Sequence, residues 1–312
     1  MCTMFERAAR GILRSGLAAT MVLGAGGLAR ADVITLHDAN SSAIINTDFH
    51  DGLVGMSNWT VDDVNKLYLQ WFGFSYQNDN WIQPNGVTVS GALDALGTPT
   101  VGSTANTATL SYNNGSIAVT VAYTLTSDAP DSQKSKIDED ITITNLMSRD
   151  LMKNLDTGVD NTLHFFQYSD FDLCGLGSND SVSIGYSGAS QTSFCDGVVS
   201  ETLITPSAGN QYWPSNTGAG YQAGSPEDVA LNAFHGVDLP NTNTTDGLSD
   251  AAWAFEWNIP FTAYHGGFDT FTIHKTKSLA PVPEPMSLVL LGAGLVGVGR
   301  MIRRRRTETV VG

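Results

Sequence analysis

The chain has 312 residues, 16 Lys and Arg against 31 Asp and Glu, a formal net charge of −15, and only 15% charged beside 42% hydrophobic residues. The hydrophobic share excludes an intrinsically disordered chain, and the acidic balance excludes a nucleic-acid binder, which rests on clustered Lys and Arg. The length suits one large all-β domain or two ordinary ones.

Residues 1–31 have the three parts of a secretory signal. Arg7, Arg10 and Arg14 precede an apolar stretch, Gly16 to Leu28, and Ala29-Arg30-Ala31 places small residues where a signal peptidase cuts. Cleavage between Ala31 and Asp32 is expected, after a signal helix. The apolar stretch of 13 residues is short of the roughly 20 that a spanning helix needs, which favours a cleaved signal over an uncleaved anchor.

Residues 32–277 read as an all-β body. Ile117, Val119, Val121, Tyr123 and Leu125 alternate with Ala118, Thr120, Ala122, Thr124 and Thr126, the period of a half-buried strand. Asn113-Asn114-Gly115 is a turn signal joining it to a strand over Thr109–Tyr112. Similar alternation marks Ile137–Thr144, Leu163–Phe171, Ser181–Tyr186, Trp253–Ile259 and Thr270–His274. No long amphipathic helix is evident, and Thr, Ser, Asn and Gly crowd the intervals. The expectation is one β-sandwich, with two smaller β-modules as the alternative.

Within the Leu163–Phe171 segment and just beyond it, the period of two places Tyr168, Asp170 and Asp172 on one face. With Asp180 after a Gly-rich turn, these carboxylates could bind Ca²⁺ through oxygen, although the spacing is not that of an EF-hand. The competing reading is a solvated strand face leading into a polar loop. No other cofactor is indicated. Cys174 and Cys195 are the two cysteines left after the signal is removed, and in an oxidising compartment they are expected to pair. Such a loop stabilises by roughly 3 kcal/mol in the chain-entropy model; two buried free thiols are the alternative.

Catalytic signatures are sparse. Gly185-Tyr186-Ser187-Gly188-Ala189 approaches a nucleophile elbow but lacks its last glycine. The six His never take H-x-H or H-E-x-x-H spacing. No catalytic residue is assigned, although carboxylates from separate strands could cleave a glycoside. Trp253, Phe255 and Trp257 share one strand face, more economically a sandwich core than a sugar platform, whereas Trp213 beside Pro214 is the better candidate for exposure.

The last residues form a linker and an ordered series from 278 to 312: Val282-Pro283-Glu284-Pro285, a stretch over 286–302 interrupted by Arg300 alone, and a basic tail over 303–312. The prolines hold Pro283-Glu284-Pro285 extended and readable by another protein. The 17 residues that follow make a short transmembrane helix, with Arg300 snorkelling near its end. Arg303, Arg304, Arg305 and Arg306 should stay cytoplasmic as a stop-transfer cluster, leaving the body outside. Gly292-Ala293-Gly294-Leu295-Val296-Gly297 matches a dinucleotide fingerprint but lacks the βαβ context, so it is a close-packing helix face instead.

This series resembles the PEP-CTERM sorting signal of exopolysaccharide-producing Gram-negative bacteria, which is processed by the membrane protease exosortase. The resemblance implies export, transient inner-membrane anchoring, cleavage near Pro283, Glu284 and Pro285, and release or attachment at the cell surface. Nine of the 16 basic residues lie in the two ends, so the exported body is strongly acidic. The expected product is a non-enzymatic protein of the envelope or extracellular matrix, associated with polysaccharide, and the alternative is a secreted glycan-active enzyme.

Overall fold

A computed structural model describes residues 33–50, 53–76, 90–146, 162–173, 180–185, 187–193, 197–204, 219–225, 229, 239–240, 242, 250–260 and 270–281. The signal segment with Ala31 and Asp32, Cys174 and Cys195, Trp213, and the sorting series with Pro283, Glu284, Pro285 and Arg303 to Arg306 lie outside the described residues. No helix among the described residues is long and apolar enough to cross a membrane.

The body is a β-sandwich of two antiparallel sheets. The first half of the chain supplies β1 (Val33–Asp38), β2 (Ser41–His50), β3 (Leu53–Val61), β4 (Val64–Asn65), β5 (Leu69–Tyr76), β6 (Ser90–Ala92), β7 (Thr100–Ser103), β8 (Thr107–Asn113), β9 (Ile117–Ser127) and β10 (Ser135–Asn145). The second supplies β11 (Thr162–Asp170), β12 (Asp180–Gly185), β13 (Gly188–Ser193), β14 (Gly197–Ile204), β15 (Ala219–Gly224), β16 (Ala252–Pro260) and β17 (Thr270–Ala280). One sheet runs β1-β2-β3-β5-β11-β16-β15, with β4 beside β3 and β6 beside β5. The other runs β12-β13-β14-β17-β10-β9-β8-β7. Both halves of the chain contribute to both sheets, so the described strands make one sandwich rather than two sequential modules.

The period-two pattern is what makes the second sheet one-sided. Along β9 and β10 every other residue is buried, and Val119, Val121, Leu125, Ile137, Ile141 and Ile143 face the first sheet. Asn114 closes the β8–β9 hairpin: its Oδ1 accepts from the Ser116 and Ile117 amides at 3.0 and 2.9 Å. Gly115 supplies the positive φ of 86° that the turn requires.

The first sheet differs, because its central strands are buried on both faces. On β11 and β16, Leu163, Phe165, Trp253, Phe255 and Trp257 enter the core between the sheets, while Phe166, Tyr168, Ala252 and Ala254 form a second cluster with Val229 and Leu239. The Trp253, Phe255 and Trp257 face is therefore core, as its economy of burial predicts. Phe171 stacks on Trp253 with ring centroids 5.2 Å apart and meets Trp59 edge-on at 6.1 Å. Burial of Phe171 in this stack contributes about 1.5–3 kcal/mol.

Two boundaries need correction. The linker expected from 278 begins later, because β17 runs to Ala280: Ser278 pairs with both Lys136 and Ser200, and Leu279 is buried. The alternation that buries Ile273 simply continues. Conversely, β11 ends at Asp170, so Phe171 and Asp172 lie in the segment that leaves the strand.

The core also holds charge. Glu139 of β10, Glu201 of β14, and Lys275 and Lys277 of β17 have fully buried side chains between the sheets. Lys277 Nζ lies 3.1 Å from Glu139 and 3.3 Å from Glu201, and Lys275 Nζ contacts Glu139 directly and lies 3.3 Å from Glu201. The opposite sheet completes the set: Gln70 Nε2 donates to Glu139 at 2.8 Å, Trp253 Nε1 donates to Glu201 at 2.9 Å, and Lys275 sits 4.6 Å above the Phe72 ring. Burial pushes both carboxyls up, but the two ammoniums prevail and hold Glu139 low and Glu201 down at about 2. Such a set is stable only when pairing is complete, since one uncompensated buried ion costs several kcal/mol.

Candidate metal centre

At the end of β11, on the face turned away from the charged core, the chain gathers carboxylates, with the buried Lys66 ammonium donating to the Leu173 carbonyl at 3.3 Å nearby. Oxygens of Asp170, Asp172 and Asp250 all lie within 4.8 Å of one another. Asp170 is the last residue of β11 and pairs with Ala252 at the start of β16, which brings Asp250 alongside. Asp172 follows two residues after Asp170 and stays near because Phe171 is locked into the core. The site is thus built where the two strands begin and end together.

Asp170 is only 3% exposed. Its Oδ2 accepts from the Tyr168 hydroxyl at 3.0 Å, whereas its Oδ1 and the Oδ1 of Asp250 are buried without a hydrogen-bond partner. A buried carboxylate oxygen without a donor is costly. Desolvation, and then the neighbouring charges of Asp250 and Asp172, push the Asp170 carboxyl well above the ordinary carboxylate range. Desolvation with Asp172 and Asp180 raises Asp250 to about 6, and desolvation raises Asp172.

The sequence places Asp170, Asp172 and Asp180 together; the triad contains the first two and Asp250 in place of Asp180. Asp180 opens β12, is 1% exposed, and one of its oxygens is engaged by Gln191 Nε2 at 2.7 Å. It remains near enough to raise Asp170 and Asp250 electrostatically, and its own carboxyl is pushed up by desolvation. Asp250 escaped sequence reading because it lies outside any patterned strand, and only the β11–β16 pairing brings it to the site.

Three carboxylate oxygens at this spacing could hold a metal ion, and the donor set is all oxygen, the chemistry of a hard cation. Asp170 and Asp250 each carry an orphaned Oδ1 that a cation could engage. Tyr68, 40% exposed, stands at the rim: its amide donates to the Asp170 carbonyl at 3.0 Å, and desolvation with the three acidic side chains raises its phenol. Among the described residues it is an exposed aromatic beside the site, whereas Trp59, Trp71, Trp253 and Trp257 are buried.

The near-elbow at Gly185 to Ala189 is a hairpin. Gly185 pairs with Gly188 across the β12–β13 turn, and a Cβ on Gly188 would lie 2.1 Å from the Glu201 carbonyl oxygen. The glycine is there for close backbone approach. The strand-to-helix turn that a nucleophilic serine needs is replaced by strand-to-strand.

No family model matches the chain, and no curated protein matches its sequence. Among solved structures, a copper-containing benzylamine oxidase from Hansenula polymorpha is similar at TM-score 0.32 and 7% identity, over 88% of this chain and 64% of the oxidase chain. A likeness of that size carries no functional argument.

Proposed function

We propose that the protein is an exported, non-enzymatic Ca²⁺-dependent glycan-binding module of the envelope or extracellular matrix. The observation that carries the reading is the Asp170, Asp172 and Asp250 cluster, with two buried carboxylate oxygens facing no donor. Ca²⁺ accepts six to eight oxygen ligands in flexible geometry, so three carboxylates leave room for hydroxyls of a bound sugar. Tyr68 beside them offers an aromatic face for stacking. An acidic body meets an anionic polysaccharide only through a bridging cation, which gives the metal a role in recognition.

Delivery to the matrix rests on the two ends of the sequence. An N-terminal signal helix is removed by signal peptidase after Ala31. A C-terminal transmembrane helix over 286–302, preceded by Pro283, Glu284 and Pro285 and stopped by Arg303 to Arg306, holds the chain in the inner membrane for exosortase. Replacing Pro283, Glu284 and Pro285 with Ala should leave a longer, membrane-retained product; an unchanged mass and location would remove the sorting part of the reading.

The binding part is tested by retention of the purified body on native matrix polysaccharide, with Ca²⁺ and with a chelator, alongside an assay for new reducing ends. Retention that the chelator abolishes, without reducing ends, is expected. Release of reducing ends would make the protein a glycan-active enzyme instead.

A further inference from the structure

The charged core cluster contains the parts of a covalent bond-forming site. Lys275 Nζ donates directly to Gln167 Oε1, across the sandwich from β17 to β11. Gln167 is fully buried, and its Nε2 donates to both Glu201 oxygens at 2.9 Å and to Ser169 Oγ at 2.9 Å. These partners fix the amide orientation: the ammonium can only donate and the carboxylate can only accept, so the carbonyl must face Lys275 and the NH₂ must face Glu201. The carbon that bears the carbonyl is one bond from the atom Lys275 touches.

From this arrangement we propose that Lys275 and Gln167 condense into an intramolecular isopeptide bond, with Glu139 and Glu201 as proton carriers. Glu139, in direct contact with Lys275 Nζ, takes one proton and leaves a neutral amine. The amine lone pair attacks Gln167 Cδ, forming the N–C bond and placing the carbonyl electron pair on Oε1. Glu201 Oε1 lies 3.3 Å from Lys275 Nζ and 2.9 Å from Gln167 Nε2. It accepts a proton from the first nitrogen and delivers one to the second, the Cδ–Nε2 bond breaks, the carbonyl re-forms, and ammonia leaves. No oxidant or cofactor enters the balance.

Three physical features favour the step. Both reacting groups are held in contact inside a dry core, so the entropic cost of bringing them together is met by folding and water cannot compete for the carbonyl. Burial, together with the Lys277 charge, lowers the Lys275 amine to about 8 despite the opposing carboxylates, so the nucleophilic form is within reach. The charge inventory also improves. Two ammoniums against two carboxylates become Lys277 against Glu201, with Glu139 neutral, so four buried ions become two without net charge appearing.

The bond would join the middle of one sheet to the middle of the other. β11 lies between β5 and β16, and β17 lies between β14 and β10. The linked residues are 108 positions apart, so the staple closes a long loop of the unfolded chain. It also locks the last described strand, independently of any metal or glycan at the β11 terminus.

Peptide mapping of the denatured full-chain protein tests this. Digestion at aromatic residues should yield a branched peptide joining the Gln167 and Lys275 segments, lighter than their sum by one ammonia, and trypsin should fail to cut after Lys275. Glu201→Gln should give two linear peptides of unmodified mass. Lys275→Arg, which keeps the charge, should also be unlinked, and it supplies the comparison should Glu201→Gln not fold. Linear peptides from the wild type, with the Lys275 amine open to acylation after denaturation, would overturn the proposal. A branched peptide in Glu201→Gln as well as in the wild type would overturn the relay assigned to Glu201.

Discussion

Two buried polar regions of this molecule solve the same problem in opposite ways. Between the sheets, Glu139 and Glu201 meet Lys275 and Lys277, with every ion engaged by an opposite charge. At the end of β11, Asp170, Asp172 and Asp250 meet one another, and two of their buried oxygens meet no donor. Ammoniums hold the core carboxyls down, whereas desolvation and like charge push the terminal ones up. The first cluster is compensated within the fold, whereas the second is a set of carboxylates that could hold a metal ion.

The comparison breaks most visibly at Lys277. Lys277→Met removes the cation shared by Glu139 and Glu201 and should lower unfolding free energy by about 3–5 kcal/mol, the cost of stripping one partner from a buried pair, as read from the urea midpoint. The terminal cluster should respond to Ca²⁺ instead. A concentration one hundred times Kd should stabilise the protein by about 2.7 kcal/mol, as a rise in thermal midpoint that Asp170→Asn abolishes. Sodium in place of Ca²⁺ should leave the midpoint unmoved.

Acid sharpens the difference, because the two regions carry opposite signs. Glu201 is depressed, so its stabilising contribution is complete above its ordinary value of 4.5 and is lost as pH falls toward about 2. Asp250 is raised from 3.8 to about 6, so the folded state holds that proton more tightly than the unfolded chain does. Without metal, its contribution makes stability fall as pH rises from 3.8 to about 6 and stay level above. Asp170 and Asp172 act in the same direction. Asp250→Asn should flatten part of that slope and stabilise the metal-free protein by less than about 1 kcal/mol, since the residue is partly solvated and screened. Denaturant titrations across pH 2–8 with chelator present would show both slopes.

Much of the architecture was legible in the residues. Ile117 to Leu125 alternates cleanly because one face of β9 meets the core and the other meets solvent, and Asn113-Asn114-Gly115 carries its turn chemistry locally. The pairings were not legible. β10 lies beside β17 with Asp140 opposite His274, and β5 lies beside β11 with Trp71 opposite Tyr168; nothing local encodes partners so distant. Asp170 and Asp172 were found because they are two residues apart, and Asp250 was missed because a strand pairing brings it in. The charged core left a trace: Glu139 stands between Ile137 and Ile141, and Lys275 and Lys277 stand between Ile273 and Leu279, all at inward positions. Charges on an apolar face with oppositely charged counterparts elsewhere are the sign of a buried network, and that sign is easily mistaken for a break in the pattern.

Whether the terminal cluster takes up a cation is tested most directly by calorimetric titration of the metal-stripped protein with Ca²⁺ at pH 7. A single saturable site per chain is expected, lost in Asp170→Asn and weakened as pH falls below about 6, where Asp250 takes up a proton. Absence of saturable heat at pH 7, or the same isotherm in Asp170→Asn, would contradict it.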